Sequence, residues 1–125
     1  MPKTSKDIAP AHDVGPVLDH SEDLDGYTVN FVTIKQTHSL ASLLKGLPDD
    51  ACQCPHWGYV LNGTVDVSYT DRPDETYRAG DAFYMPPGHV PAAEEGSEFV
   101  QFSPKNELAV SMAAMMANAQ RAAGR

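Results

Sequence analysis

Residues 56–88, HWGYVLNGTVDVSYTDRPDETYRAGDAFYMPPG, decide the fold, because short strand-forming runs alternate in them with turn residues. The pair Asn62-Gly63 precedes the alternating run TVDVSY at residues 64–69, and both residues tolerate the positive φ angles of a tight hairpin turn. The alternation of apolar and polar residues predicts a strand with one buried face. Two more short strands are predicted, separated by turns that contain Pro, Gly and Asp, at residues 75–78 and 82–85.

The pattern of short strands continues on both sides of this stretch. YTVNFVTI at residues 27–34 is rich in β-branched and aromatic residues and predicts a strand, and SEFVQF at residues 97–102 predicts the last one. Residues 40–50, LASLLKGLPDD, are expected to be a strand or a bent extended segment, since Gly46 and Pro48 interrupt their helical spacing. Short and closely spaced strands indicate an all-β sandwich or barrel.

The two ends of the chain differ from this pattern. Residues 1–24 are rich in Pro, Asp, His and Ser and are predicted to form an arm, with one short edge strand near Ile8 or Val17-Leu18. Ser103 and Pro104 predict the start of a C-terminal helix, as its N-cap and its first helical residue. One face of this helix is apolar and is expected to pack on the barrel or on a second subunit; it consists of Leu108, Met112, Met115, Met116 and Ala119.

The composition limits the partners of the chain. Its 125 residues are 42% hydrophobic and 21% charged, which indicates one globular domain. The net charge of −8 repels nucleic-acid phosphates and anionic lipids, so neither nucleic acid nor a membrane is an expected partner. No apolar run reaches the ~20 residues that span a bilayer, and the first residues lack the apolar core of a secretory signal. We therefore expect a cytoplasmic protein without a disulfide framework.

The only two cysteines lie in the segment ACQCPHWG, residues 51–58. In an extended strand every second side chain faces the same way, so Cys52, Cys54 and His56 are expected to share one face. Pro55 has no N–H group and therefore suits a strand edge or a bulge. Three such side chains on one face suggest a metal site, and two buried core cysteines are the alternative interpretation.

Two stretches resemble the motifs of the cupin family. Residues 80–88, GDAFYMPPG, match in full its second motif, which is a Gly, five residues, a Pro, one residue and a Gly. HWGYVLNG, which ends at Gly63, is similar to the strand and glycine turn that end its first motif. The resemblance implies a double-stranded β-helix (jelly-roll) barrel over residues 25–103, after an arm over residues 1–24 and before a C-terminal helix and tail over residues 104–125.

The residues at the family's usual metal positions differ from its pattern of three histidines and one glutamate. His56 stands where the glutamate is expected, Cys52 and Cys54 occupy the His-x-His region, and His89 lies two residues before the position of the last histidine. The resemblance thus implies a metal site made of these four residues. Thiolates and imidazoles favour zinc, with iron as the alternative. Four protein ligands would close the site. We favour an open site with three protein ligands, which are Cys54, His56 and either Cys52 or His89.

Three functions remain open from the sequence. The first is a small metalloenzyme that acts on a small organic molecule in the barrel pocket, since isomerisation, lyase and dioxygenase chemistry all occur in the family. The second is a non-catalytic ligand-binding module with a structural metal or none, and the third is a thiol-based redox or metal sensor. The expected partners are a small-molecule ligand and a second copy of the chain, as a homodimer.

Overall fold

The computed structural model describes residues 3–123. They form two short 3₁₀ helices, Leu40–Leu43 and Pro48–Asp50, one α-helix, α1, at Lys105–Ala123, and ten β-strands. The strands in chain order are β1 Ala11–Val14, β2 Val17–Leu24, β3 Tyr27–Ile34, β4 His38–Ser39, β5 His56–Asn62, β6 Thr64–Tyr69, β7 Glu75–Arg78, β8 Ala82–Met85, β9 His89–Ala93 and β10 Glu98–Pro104.

The strands form two antiparallel sheets that enclose the core. Six strands lie in the order β1-β2-β3-β10-β5-β8, and four lie in the order β4-β9-β6-β7. From β5 to β10 the chain passes repeatedly from one sheet to the other, which is the connectivity of a jelly roll. The predicted all-β double-stranded β-helix with a C-terminal helix is therefore confirmed. Within residues 3–123, no helix combines the length and the apolar character that crossing a membrane requires.

The predicted strands in the middle of the chain are confirmed. The alternating run after Asn62-Gly63 forms β6, and its inward residues Val65 and Val67 are each 1% exposed. The register of β8, which the sequence left open, places Met85 opposite His56 and buries Phe83, while Tyr84 points outward and is 45% exposed. This register decides which side of β8 contributes to the interior.

The prediction of an arm over residues 1–24 is wrong for much of its described part. β1 pairs with β2, and β2 pairs along its whole length with β3, from Val17 opposite Ile34 to Leu24 opposite Tyr27. Polar residues in β2 conceal its strand character in the sequence, because Asp19 faces the interior instead of an apolar residue. Residues 1 and 2 of the predicted arm and residues 124 and 125 of the predicted tail lie outside the described part of the chain.

Two local predictions also differ from the structure. Residues 40–50 contain the two 3₁₀ helices instead of an extended segment, since Leu40, Leu43 and Leu44 turn toward the interior at helical spacing. Ser103 lies at the end of β10 and is not the helix N-cap; its hydroxyl shares a hydrogen bond with His56. The apolar face of α1 packs on the barrel as predicted, because Met112 and Met115 contact both buried clusters.

Gly58 is the position where β5, β8 and β10 come closest together. A Cβ atom at this position would lie 2.8 Å from Phe83 Cε2 and closer still to Phe83 Cζ and to the carbonyl oxygen of Val100. Phe83 is itself held by stacking on Tyr77, with ring centroids 4.7 Å apart. Only glycine therefore fits between the Phe83 ring and the main chain of β10.

Replacing Gly58 by Ala should lower the free energy of unfolding by about 3 kcal/mol, since a main-chain oxygen cannot move aside as a flexible side chain can. Urea denaturation followed by circular dichroism measures this change. The control is Ser68→Ala on the exposed face of β6, which should change the free energy by less than about 0.5 kcal/mol. A Gly58→Ala protein as stable as this control would contradict the tight approach of the three strands.

Candidate metal centre

Three of the four predicted ligands come together inside the barrel. One donor atom from each of Cys52, His56 and His89 lies within 4.8 Å of the other two, and all three residues are buried. Cys52 Sγ is 3.6 Å from His56 Nε2, and the two imidazole rings have centroids 4.8 Å apart. The cluster thus consists of one thiol and two imidazoles.

The main chain holds Cys52 beside His89. Cys52 N–H donates to the carbonyl oxygen of His89 at 3.0 Å, and Gly88 N–H donates to that of Cys52 at 2.8 Å. These bonds form an isolated β-bridge between the irregular segment before β5 and the start of β9. The Gly88 turn of the second motif therefore brings His89 to the cysteine, at a position two residues before the family's usual histidine.

Each of the two imidazole rings is held by a hydrogen bond at its Nδ1 atom. His89 Nδ1–H donates to the carbonyl oxygen of Pro86 at 2.6 Å, since a carbonyl only accepts, and this leaves His89 Nε2 as the nitrogen with a lone pair. His56 Nδ1 shares a 2.6 Å hydrogen bond with the hydroxyl of Ser103, and His56 Nε2 faces Cys52. Metal-binding histidines show the same arrangement, in which the second nitrogen is bonded to a carbonyl or another oxygen.

Burial keeps the cluster uncharged when no metal is bound. It lowers the pKa of His56 to about 3, with a smaller contribution from His89, and it also lowers the pKa of His89. Burial raises the pKa of the Cys52 thiol, while a hydrogen bond with Ser111 acts in the opposite direction. Neutral imidazoles are ready to bind a metal, whereas the thiol must lose its proton to do so.

The fourth predicted ligand, Cys54, lies outside this cluster. Its thiol contacts the carbonyl oxygen of Pro55 at 3.4 Å, and its sulfur is not among the donor atoms that lie within 4.8 Å of one another. The equal spacing of the two cysteines and His56 suggested one shared face, but β5 begins only at His56, so the chain before it is not a regular strand. Burial, with a smaller contribution from the neighbouring Cys52, raises the pKa of Cys54 to about 12.

The cluster fits a tetrahedral transition metal. Zinc bonds of about 2.0–2.1 Å to nitrogen and about 2.3 Å to sulfur place tetrahedral donors roughly 3.3–3.6 Å apart. The 3.6 Å between Cys52 Sγ and His56 Nε2 already matches this range, and donors within 4.8 Å of one another need only small side-chain movements. Two imidazoles and one thiolate leave a fourth position without a protein ligand.

A cavity of about 70 Å³ adjoins the cluster and has room for several water-sized groups. Cys52, His56 and His89 form part of its wall, and Ser111 from α1 lies next to the thiol. Most of the remaining wall is apolar, from both sheets and from α1. Three polar side chains away from the cluster interrupt this apolar wall: Asp19, Asn30 and Gln101.

Sequence reasoning missed several of these residues. Asn30 carried a usable signal, because it occupies an inward position of the run YTVNFVTI between the buried residues Thr28 and Val32. Ser103 was assigned to helix capping, and its contact with His56 depends on strand register. Ser111 gave no signal, because a serine on an alanine-rich helix has no distinguishing pattern.

Structural comparison identifies the fold. An RmlC-like cupin from Shewanella frigidimarina is similar at 16% identity with a TM-score of 0.58, over 81% of this chain and 88% of that chain. KdgF from a Halomonas species is similar at 21% identity with a TM-score of 0.54, over 76% of this chain and 86% of that chain. A crystal structure of Fe(II)-HppE with an alternative substrate gives 11% identity and a TM-score of 0.54, over 80% and 58%.

The sequence itself matches no protein-family model and no curated protein. At identities of 11–21% the structural likeness is a likeness of fold alone. The chain therefore has the cupin fold that its two motifs indicated, and its chemistry has to be argued from its own residues.

Replacing Asp19 by Asn should raise the free energy of unfolding at neutral pH. Burial raises the pKa of the Asp19 carboxyl above its ordinary value, against the hydrogen bonds from Asn30 and the charge of His12. When the pKa of a carboxyl is higher in the folded than in the unfolded protein, protonation favours the folded state at a pH below both pKa values. This advantage is lost as the pH rises through the pKa of the folded state. The gain from Asp19→Asn should therefore be present at about pH 7 and absent at about pH 3.

Chemical denaturation of the metal-free protein at both pH values measures this difference. The control is Asp74→Asn in an exposed loop, which should change the unfolding free energy little at either pH. An equal effect of Asp19→Asn at the two pH values would show that burial of the charge is not responsible.

Proposed function

We propose that this cupin-fold chain is a small metalloenzyme that binds zinc through Cys52, His56 and His89 and acts on a small organic molecule in the adjoining cavity. The observation that carries the proposal is the convergence of three buried donors, with both imidazoles fixed by hydrogen bonds to Pro86 and Ser103. One of the structures with this fold is Fe(II)-HppE, which is consistent with a metal in a cupin barrel. Iron is therefore the alternative metal in this proposal.

The number of protein ligands supports a catalytic site. Structural zinc sites are closed by four protein ligands, whereas catalytic sites use three and keep one position for water or substrate. A bound zinc ion would supply Lewis-acid polarisation and lower the pKa of a coordinated water to ~7. Cys54 is turned toward Pro55, so it does not complete a fourth position.

The residues of the chain have separate roles in this proposal. Cys52 and the two histidines hold the metal, and Ser103 and the Pro86 carbonyl orient the rings. Ser111 shares a hydrogen bond of 3.2 Å with the Cys52 sulfur, which stabilises the thiolate form and restrains its position. The apolar wall excludes bulk water, so a polar ligand group in the cavity interacts mainly with the metal and with these few polar side chains.

A thiol-based sensor is less well supported. Reactive cysteines have a lowered pKa and are accessible to solvent, whereas both thiols here are at most 5% exposed and have raised pKa values. A non-catalytic module remains the second candidate, and its metal would be structural or absent.

The two cysteines provide a matched pair of variants. Cys52→Ser should lower the zinc affinity at least tenfold, because it removes a ligand, whereas Cys54→Ser should retain about one zinc per chain. Elemental analysis of protein purified without a tag gives the metal content, and competition with a chromogenic chelator gives the affinity. In the cobalt-loaded protein, the thiolate-to-cobalt absorption should be absent only from Cys52→Ser.

Other results would reject this metal site. No zinc in the wild-type protein after purification and after added zinc would remove the metalloenzyme and favour the non-catalytic module. Equal loss of zinc from the two cysteine variants, with both folded, would show that the donor set includes Cys54 and is closed.

We also propose that the chain forms a homodimer through the outer face of β5, β8 and β10. Four aromatic side chains on this face are 44–47% exposed: Trp57, Tyr59, Tyr84 and Phe102. The cross-strand rows Phe102–Trp57–Tyr84 and Val100–Tyr59–Ala82 contain no charged residue. Since the chain carries a net charge of −8, an uncharged apolar face is where a second copy can approach with the least repulsion.

Introducing a negative charge into this face should separate the dimer. Tyr59→Glu is expected to give a monomer in light scattering coupled to gel filtration, because two like charges would meet in an apolar interface. Val110→Glu makes the same type of change at an exposed apolar residue on α1 and should leave the dimer intact. A monomeric wild-type protein, or dissociation by both variants alike, would reject this interface.

A further inference from the structure

A second polar group lies in the wall of the cavity, away from the metal ligands. Asp19 of β2 and Asn30 of β3 are each 3% exposed, and both line the cavity. Asn30 Nδ2 donates to both carboxylate oxygens of Asp19, at 3.0 and 3.1 Å. These two residues, which we call the Asp19–Asn30 pair, therefore form a polar unit in a largely apolar wall.

One atom of the pair has no hydrogen-bond partner within the described residues. The side-chain oxygen of Asn30, Oδ1, is fully buried and unpaired. Because the amide nitrogen of Asn30 donates to the Asp19 carboxyl group, the amide oxygen faces away from that group. A buried acceptor without a donor costs about 1–3 kcal/mol, so a group that pairs with it would be stabilised at this place.

Main-chain pairing and apolar packing already join the two strands that carry this pair. β2 and β3 are already joined by main-chain pairing over eight residues each. Val17, Val32 and Ile34 are the neighbouring inward residues of the same strands and belong to the apolar core. Burial moreover raises the pKa of Asp19, which means that the carboxylate is held at the expense of stability. An apolar pair would serve these two strands better.

The pair and the metal ligands are placed to contact one ligand. Asn30 is opposite Gln101 on β10, and Gln101 is opposite Gly58 on β5, two residues after His56. Two strand spacings, about 10 Å, separate the Asn30 position from Gly58, and about 7 Å along β5 separates Gly58 from His56. The main-chain gap to His56 is therefore roughly 12 Å, and the inward side chains shorten it. A molecule of a few heavy atoms is enough to span it.

Asn30 also lines a second pocket. Asn30, Leu108 and Met112 line both the interior cavity and a second pocket of about 300 Å³, whose rim contains the exposed residues Asp23 and Lys105. The shared lining residues place Asn30 between the two pockets.

We propose that the Asp19–Asn30 pair is a recognition site for a hydrogen-bond donor, a hydroxyl or N–H group, on a small and mainly apolar ligand whose other end faces the metal. This inference rests on the proposed function in that it places the substrate in the same cavity. The Asn30 oxygen accepts from the donor, and an anionic carboxylate ligand cannot pair with it because a carboxylate carries only acceptors. The substrate class is thus a small alcohol or amine and not a carboxylate.

Three probes of equal chain length test this specificity. 1-Butanol, n-butylammonium and butyrate are titrated into the ¹⁵N-labelled wild-type protein, and the side-chain amide resonance of Asn30 is followed by NMR. We expect a saturable shift with butanol or butylammonium and none with butyrate. The stronger of the two donors identifies the ligand as neutral or cationic. The inference would be overturned on the wild-type protein alone if neither donor probe gave a saturable shift, or if butyrate bound as tightly as the donor probes.

Two variants separate recognition from structure. Asn30→Val removes the acceptor at nearly constant volume and should weaken binding of the donor probe at least tenfold, as measured by calorimetry. Thr33→Val is the matched control, because the Thr33 hydroxyl is also buried and unpaired but does not line the cavity, and it should bind the probe as the wild type does. Equal affinity of Asn30→Val and the wild type would overturn the inference.

The double variant Asp19→Val/Asn30→Val tests whether the pair is structural. Removing both polar partners should leave the melting temperature unchanged or raised, whereas a large decrease would assign the pair to stability and overturn its assignment to recognition. Zinc content is measured on the same samples. In the wild-type protein, absence of a butanol response with zinc retained removes this inference alone, and a butanol response without zinc removes the proposed metal site alone.

Discussion

The candidate site depends on one short main-chain contact, the β-bridge between Cys52 and His89. The segment before β5 has no strand partner of its own, and this bridge alone pairs it with the other sheet. Because the bridge joins the residue that carries the thiol to the residue that carries an imidazole, it sets their separation directly. His56 follows at the first position of β5, where pairing with Met85 and the contact with Ser103 orient it toward the same point.

The interior combines two opposing demands. An apolar core stabilises the barrel, and its largest buried side chains, such as Leu44, Met85 and Val60, serve that purpose. The same interior buries two imidazoles, a thiol and a carboxylate, which all pay for desolvation by shifts of their pKa toward the neutral form. Ligand binding explains this number of buried polar groups in a cavity wall better than the stability of the fold does.

Much of the fold could be predicted from the sequence, but the site could be predicted only in part. The hairpin at Asn62-Gly63 and the Gly80–Gly88 motif are local sequence patterns, which can be recognised without knowledge of tertiary packing. Of β2, only a short strand near Val17-Leu18 was expected, because Asp19 breaks the apolar alternation after it. The convergence of His89 with Cys52 was expected only from the family resemblance, since their contact joins two sheets.

Cys54 shows why spacing alone cannot assign ligands. Cys52 and His56 are four residues apart and meet, while Cys54 lies between them at equal spacing and does not. The difference arises because Pro55 cannot donate to a sheet ladder, so the strand begins only after it and the side-chain alternation before it is lost. Had the strand begun at Cys52, both sulfurs would have faced the cavity and closed the coordination. The irregular segment therefore decides whether a metal bound in this barrel would be closed by four protein ligands or would keep a position open to a ligand.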